Sequence, residues 1–298
     1  MSAPVSLPAA PPRLALVVGS GGVLAAAALG VVHVLAAEGM QPDLYVGCSS
    51  GALFGATLAM GMPAEHALQT ALRLWSPELT RRRRWRAYAE WAAPRLMGTR
   101  TDFALRDEQA IAQRLAEVFG TRHIEQLPTP LRVATTEVHS GRAAVLRHGP
   151  LLPALRASMA LPLLFPSVQI DGCSYVDGAL SDPLPVAAAA DAHLVIAVGV
   201  DAPMPRRLDR PARLAAQAST ALINNLLQAR LDAAHAAGRP VLALRPVPPR
   251  RIGIWDAQAM PDLFVAGRHA AMAALPRIAA LLAPRPPRQN GTAREVTP

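Results

Sequence analysis

At 298 residues and 51% hydrophobic composition, the chain is long enough to bury a large core, which excludes a disordered protein and a small disulfide-stapled scaffold. Its two cysteines, Cys48 and Cys173, have no metal-ligand spacing around them, so neither a disulfide framework nor a zinc site is expected. The net charge of +9 is carried by arginine, because the sequence has no lysine. It favours an anionic partner such as a lipid surface, and without a helix-turn-helix, RRM or zinc-finger signature nucleic acid is not expected.

Residues 1–12 are rich in proline and alanine and read as a disordered tail. Leu14 to Val18 is a continuous apolar run of strand length, followed by the loop Gly19-Ser20-Gly21-Gly22 and a helix that runs to about Glu38 and stops at Gly39. The apolar stretch from Leu14 to Leu35 is interrupted by Gly19, Gly21, Gly22, Gly30 and His33, too often for a membrane span or a signal peptide, so a cytoplasmic protein is expected. The loop is not a dinucleotide fingerprint, since the third glycine of G-x-G-x-x-G is missing, and it lacks the Gly-Lys-Ser/Thr ending of a phosphate-binding loop. Its consecutive amides at a helix start could instead hold an oxyanion, or the loop could be a plain tight turn.

A second strand, beginning at Leu44, ends in Gly47-Cys48-Ser49-Ser50-Gly51, and Ala52 to Met60 then reads as a helix. Strand, G-x-S-x-G turn and helix in that order are the context of a nucleophile elbow, although ordinary strand-to-helix turns use the same residues. In an elbow Ser49 stands exposed at a helix N-terminus, and Gly47 and Gly51 lack side chains so that neighbouring segments can approach. A strand–loop–helix–strand unit followed by an elbow predicts an α/β fold with a parallel sheet.

The strongest charge cluster is Arg81-Arg82-Arg83-Arg84, with Trp85 and Trp91 close behind and Trp75 ahead of it. Arginine interleaved with aromatic rings suits an anionic membrane surface or a lid over an acyl pocket, and also a solvated helix face, so 75–110 is assigned as a lid or membrane-facing segment. Asp107 to Val118 reads as an amphipathic helix, and Pro130 to Thr135 as a strand that pairs with Ala143 to Leu146. Ala157 to Pro166 leads into Val168–Ile170, a turn at Asp171-Gly172, and Tyr175-Val176-Asp177-Gly178-Ala179, where Asp177 sits between a β-run and a glycine. Leu194 to Val200 reads as a central parallel strand, Arg213 to Ala236 as a long helix, Val241 to Leu244 as a strand and Asp262 to Leu282 as a last helix. Residues 13–283 are therefore expected to form one domain, with 284–298 a disordered Pro/Arg tail.

A serine nucleophile needs a base, and none of the eight histidines lies in a stretch that marks it as one. Only one strand precedes the elbow strand, which disfavours an α/β-hydrolase, and Cys48 stands where malonyl-type acyltransferases carry histidine. What the chain does resemble, from Leu14 to Val200, is the patatin-like phospholipase family. The resemblance rests on the glycine loop, Leu29-Gly30-Val31-Val32-His33-Val34-Leu35, Gly47-Cys48-Ser49-Ser50-Gly51, Ala157-Ser158 through Phe165-Pro166, and Asp177-Gly178-Ala179. It implies a three-layer sandwich with a mainly parallel central sheet and helices on both faces.

The resemblance also implies a serine esterase without metal or cofactor that hydrolyses phospholipid, lysophospholipid or related lipid esters. Ser49 would be the nucleophile, Asp177 its base, the amides of Gly21, Gly22 and Val23 the oxyanion hole, and Gly178 and Ala179 the acid-loop motif. The chain departs from the family's pattern at Leu24, which replaces a basic residue, and at Ala25, which replaces a glycine. That departure sets up a second expectation, a catalytically impaired module of the same fold that binds lipid or protein.

Overall fold

The computed structural model describes residues 12–75, 108–162 and 164–283. The tails, nearly all of the 75–110 segment and the cluster Arg81, Arg82, Arg83, Arg84, Trp85 and Trp91 lie outside the described residues.

Five strands run parallel: β1 (Leu14–Val18), β2 (Leu44–Cys48), β3 (Leu131–Glu137), β7 (Leu194–Val198) and β8 (Val241–Leu244). Three more, β4 (Ala143–Leu146), β5 (Val168–Ile170) and β6 (Cys173–Asp177), join antiparallel around β3, and the hydrogen-bonded path is β5-β6-β3-β2-β1-β7-β8 with β4 on β3. Four of the parallel strands, β1, β2, β7 and β8, are apolar without alternation because both faces of the sheet are covered. In β1, Leu14, Leu16 and Val18 enter one core cluster while Ala15 and Val17 enter another.

The first face carries α1 (Ala27–Ala37), α2 (Ser50–Ala59), α3 (Ala64–Leu74) and α7 (Met260–Leu282). The second is covered by α6 (Pro211–Ala236) through Leu227, Leu231 and Ala234, together with the turn at Val186–Ala189. The result is the expected three-layer α/β sandwich. Helices α4 (Glu108–Phe119) and α5 (Leu151–Met159) close the β3 side of the first face.

Trp75, expected to belong with the arginine-rich segment, is instead a core residue. It is buried as the cap residue just after α3 and stacks on Phe54 with ring centroids 5.7 Å apart. Among the described residues no helix is long and apolar enough to cross a membrane.

The registers around β3 bring the site together. β4 pairs with Val133 to Thr136, so β2, paired with Leu131 to Ala134, and β6, paired with Thr135 to Glu137, must share the opposite edge of β3 end to end. Cys48 faces Ala134 and Asp177 faces Thr135. The residue that follows β2 and the last residue of β6 therefore meet where the two strands abut.

Candidate active site

β2 is followed directly by α2, and the single residue between them is Ser49. Its backbone sits at φ 55°, ψ −127°, a region that a side chain makes costly, on the order of 1–3 kcal/mol. The two flanking glycines are required by space: a Cβ on Gly47 would lie 2.4 Å from Ala52 Cα, and one on Gly51 would lie 2.3 Å from the Val18 carbonyl oxygen. The G-x-S-x-G spacing thus packs α2 against the ends of β1 and β2 with Ser49 forced out at the corner, where it remains partly exposed.

Ser49 Oγ donates to Asp177 Oδ2 at 2.8 Å, and the Ala179 amide donates to Asp177 Oδ1 at 2.9 Å. Both carboxylate oxygens are thereby engaged. The main chain of Asp177 is also held, its amide donating to the Ala160 carbonyl (3.0 Å) and its carbonyl accepting from Thr136 Oγ1 (2.8 Å). Gly178 is fixed by contact, since a Cβ there would stand 2.6 Å from the Ala134 carbonyl oxygen.

Asp177 is 3% exposed, and burial pushes its pKa up to about 7 against the pull of the hydrogen bonds from Ala179 and Ser49. A carboxylate poised near neutrality is far better matched to accept a serine proton than an ordinary aspartate near 3.9. None of the eight histidines is hydrogen-bonded to either residue; His33, for example, pairs with Glu65 and lies edge-on to Phe264.

Cys48 is fully buried against Ala134 and Ala179, and burial with the Asp177 and Asp182 carboxylates raises its pKa well above the ordinary thiol value. It is a packing residue. Behind the acid loop, Arg230 on α6 donates to the Ser181 carbonyl at 2.6 Å and places Nε 3.3 Å from Asp182 Oδ1, while burial raises Asp182 to about 6.

The glycine loop after β1 stands at the same end of the sheet, because β1 and β2 are parallel neighbours. Four of its amides are engaged: Gly19 with the Val198 carbonyl, Ser20 with Pro183, Leu24 with Gly21, and Val23 with Ile254 at 3.0 Å. Of the three amides expected as oxyanion donors, that of Val23 is among those engaged. The Gly21 and Gly22 amides make no backbone hydrogen bond among the described residues, whereas that of Val23 is taken by Ile254. Leu24 and Ala25, the departures from the family's pattern, are core residues, 1% and 5% exposed. Among the described residues no group of histidine, cysteine and acidic side chains is placed to hold a metal ion.

The family model for patatin-like phospholipase matches residues 16–190, from β1 through the acid loop. The chain belongs to the patatin-like phospholipase family. An uncharacterized NTE family protein of Mycobacterium tuberculosis is 34% identical over 194 residues, covering 64% of this chain and 49% of that protein. Patatin-like phospholipase domain-containing protein 6 of Mus musculus is 30% identical over 191 residues, 63% of this chain and 13% of that one. The chain thus spans about half the length, or less, of the curated relatives it matches here. VipD from Legionella pneumophila superposes with a TM-score of 0.41 at 13% identity, over 87% of this chain and 66% of that one.

Ser49 and Asp177, 128 residues apart, lie in hydrogen-bond contact inside the patatin-like region, with Gly47, Gly51, Gly178 and Ala179 packed immediately around them. Two partners had no role assigned from sequence. Ser158, within the Ala157–Pro166 motif, accepts the Ser49 amide, and Ile254 lies beyond the matched region in a stretch with no sequence signal at all. Family membership points to lipid acyl hydrolysis.

Proposed function

We propose that this protein is a serine acyl-ester hydrolase acting on phospholipid, lysophospholipid or a related lipid ester. The observation that carries the proposal is the 2.8 Å hydrogen bond from Ser49 Oγ to a buried Asp177 carboxylate at a strained elbow. Asp177 takes the proton as Ser49 Oγ attacks the ester carbonyl carbon. The oxyanion that develops is met by the Gly21 and Gly22 amides, with the N-terminal dipole of α2 adding to the field. Collapse of the tetrahedral intermediate breaks the carbonyl–alkoxy bond, and Asp177 returns the proton to the departing alcohol. Water then attacks the acyl-enzyme, again giving its proton to Asp177 and releasing a fatty acid and Ser49.

The test is fatty-acid release from phospholipid and lysophospholipid micelles, and hydrolysis of a short-chain p-nitrophenyl ester, by wild type and Ser49→Ala. A loss of roughly 10³-fold or more in kcat with an unchanged melting curve is expected, and equal turnover by the two proteins would remove Ser49 from the reaction.

A second reading, a lipid- or protein-binding module with impaired catalysis, is favoured by Leu24, Ala25 and the engaged Val23 amide. It requires a wild type that fails to react with a fluorophosphonate and vesicle binding that survives Ser49→Ala. The retained Ser49–Asp177 contact favours the hydrolase, since binding alone does not need it. We also propose that Arg81 to Arg84, with Trp85 and Trp91, contact anionic membrane. Charge reversal at the four arginines should then abolish sedimentation with phosphatidylglycerol vesicles at low salt, and unchanged sedimentation would refute the assignment.

A further inference from the structure

Ser158 is the penultimate residue of α5, and its side chain is fully buried. Its hydroxyl donates to the Ala134 carbonyl at 2.7 Å and accepts the Ser49 amide at 2.8 Å. A hydroxyl has one proton, and here Ala134 receives it, so Ser158 meets the nucleophile residue only as an acceptor. It therefore takes no part in proton transfer at Ser49 Oγ. It also removes the Ser49 amide from the possible oxyanion donors.

Two residues further on, the Ala160 carbonyl accepts the Asp177 amide at 3.0 Å. Two residues at the C-terminal end of α5, Ser158 and the cap residue Ala160, thus bind the main chain of Ser49 and of Asp177. Ala134, the anchor for Ser158, pairs with Cys48 in the sheet and is the residue against which Gly178 packs. The C-terminus of α5 braces the junction at which β2 and β6 abut on β3.

A strained conformation such as that of Ser49 persists only where its surroundings over-determine it. Among the described residues the Ser49 amide has this one hydrogen bond, and without it the corner between β2 and α2 is free to relax toward ordinary φ. We propose that Ser158 is a positioning residue that holds the nucleophile's backbone in its strained form and so fixes the aim of Ser49 Oγ between Asp177 and the glycine loop. The inference rests on Ser49 being the nucleophile and adds a residue that never touches substrate.

The experiment compares wild type, Ser158→Ala and Ser158→Cys, each assayed well below its melting midpoint with a soluble p-nitrophenyl ester and a fluorophosphonate. A misaimed nucleophile lowers kcat and the labelling rate by a common factor of about 10–100 while KM stays within about twofold. Cysteine, similar in shape and a weaker acceptor, should fall between alanine and wild type. The pH midpoint of the reaction should move upward in the alanine variant, because a misaimed Ser49 Oγ weakens the hydrogen bond that pulls the Asp177 pKa down.

Wild-type kcat and labelling in folded Ser158→Ala would overturn the proposal. A loss that merely tracks the fraction of folded protein would do the same. If the alanine variant does not fold, the cysteine variant decides alone, with reduced kcat in fully folded protein supporting the role and unchanged kcat refuting it. A wild type that neither labels nor turns over would overturn the nucleophile assignment itself, a result distinct from an active wild type matched by an equally active Ser158→Ala.

Discussion

On the acid side of the Ser49 hydroxyl the Asp177 carboxylate is tied down, whereas on the glycine-loop side two amides make no backbone hydrogen bond among the described residues and a third is taken by Ile254. Asp177 is gripped at both carboxylate oxygens, its amide and its carbonyl, by Ser49, Ala179, Ala160 and Thr136. The glycine loop offers Gly21 and Gly22, gives Val23 to Ile254, and turns Leu24 and Ala25 into the core. The acid side lies wholly within residues 16–190, the region shared with the family, while the partner of Val23 comes from beyond it. Proton transfer tolerates little variation in geometry. An anion, by contrast, can be met by any sufficient set of amides.

The largest effects are expected from breaking the acid side. Asp177→Asn preserves both hydrogen bonds in form, since its amide can accept from Ala179 and donate to Ser49, yet removes the base. Turnover should fall by about 10³–10⁴-fold. Stability should move the other way. The folded-state pKa of about 7 lies above the unfolded value of 3.8, so the folded protein holds the extra proton and stability is lost as pH rises from about 4 through 7. Asparagine escapes this penalty, and chemical denaturation at pH 8 should show the variant more stable by up to about 4 kcal/mol, with the gain gone at pH 4. A variant less stable than wild type at pH 8 would mean that Asp177 is not strained by burial.

On the loop side the departures from the family should resist simple reversal. Leu24 is a core side chain, so Leu24→Arg would bury an unpaired charge and lower stability by about 3–5 kcal/mol without raising kcat. An active, stable Leu24→Arg would show that the position faces the site. Gly22→Ala should do less. Its Cβ would stand 2.2 Å from the Ile254 carbonyl oxygen at a backbone φ of +61°, so the loop must shift. A fall in kcat of roughly 10–100-fold with KM little changed is expected, and unaltered kinetics would remove this loop from the reaction.

The same contrast governs what could be read from sequence. The apolar runs at Leu14, Leu44, Leu194 and Val241 mark strands, and their lack of alternation reflects burial on both faces of the sheet. β7 ends at Val198 rather than Val200, as Gly199 leaves the ladder, and β3 runs on to Glu137 through its pairing with β6. Helices α3 and α5 were not anticipated. Both are short, and α5 begins Pro150-Leu151-Leu152-Pro153, which reads as a breaker although proline is at home in a first turn.

Ser49 was legible from its elbow, because glycine spacing there is a local steric requirement. Asp177 was legible only through resemblance to a family. What unites the pair is the sharing of one β3 edge by β2 and β6, a tertiary fact with no local signature. The roles of Ser158, Thr136 and Ile254 were hidden for the same reason.

The central claim is that Asp177, lifted by burial to about 7, is the base for Ser49. It is tested most directly by the rate of fluorophosphonate labelling of wild type and Asp177→Asn between pH 4 and 9. The wild-type rate should climb about tenfold per pH unit at the acid end and level off above about 7, with Asp177→Asn slow and flat throughout. A wild-type profile without that limb, or one that Asp177→Asn reproduces, would contradict it.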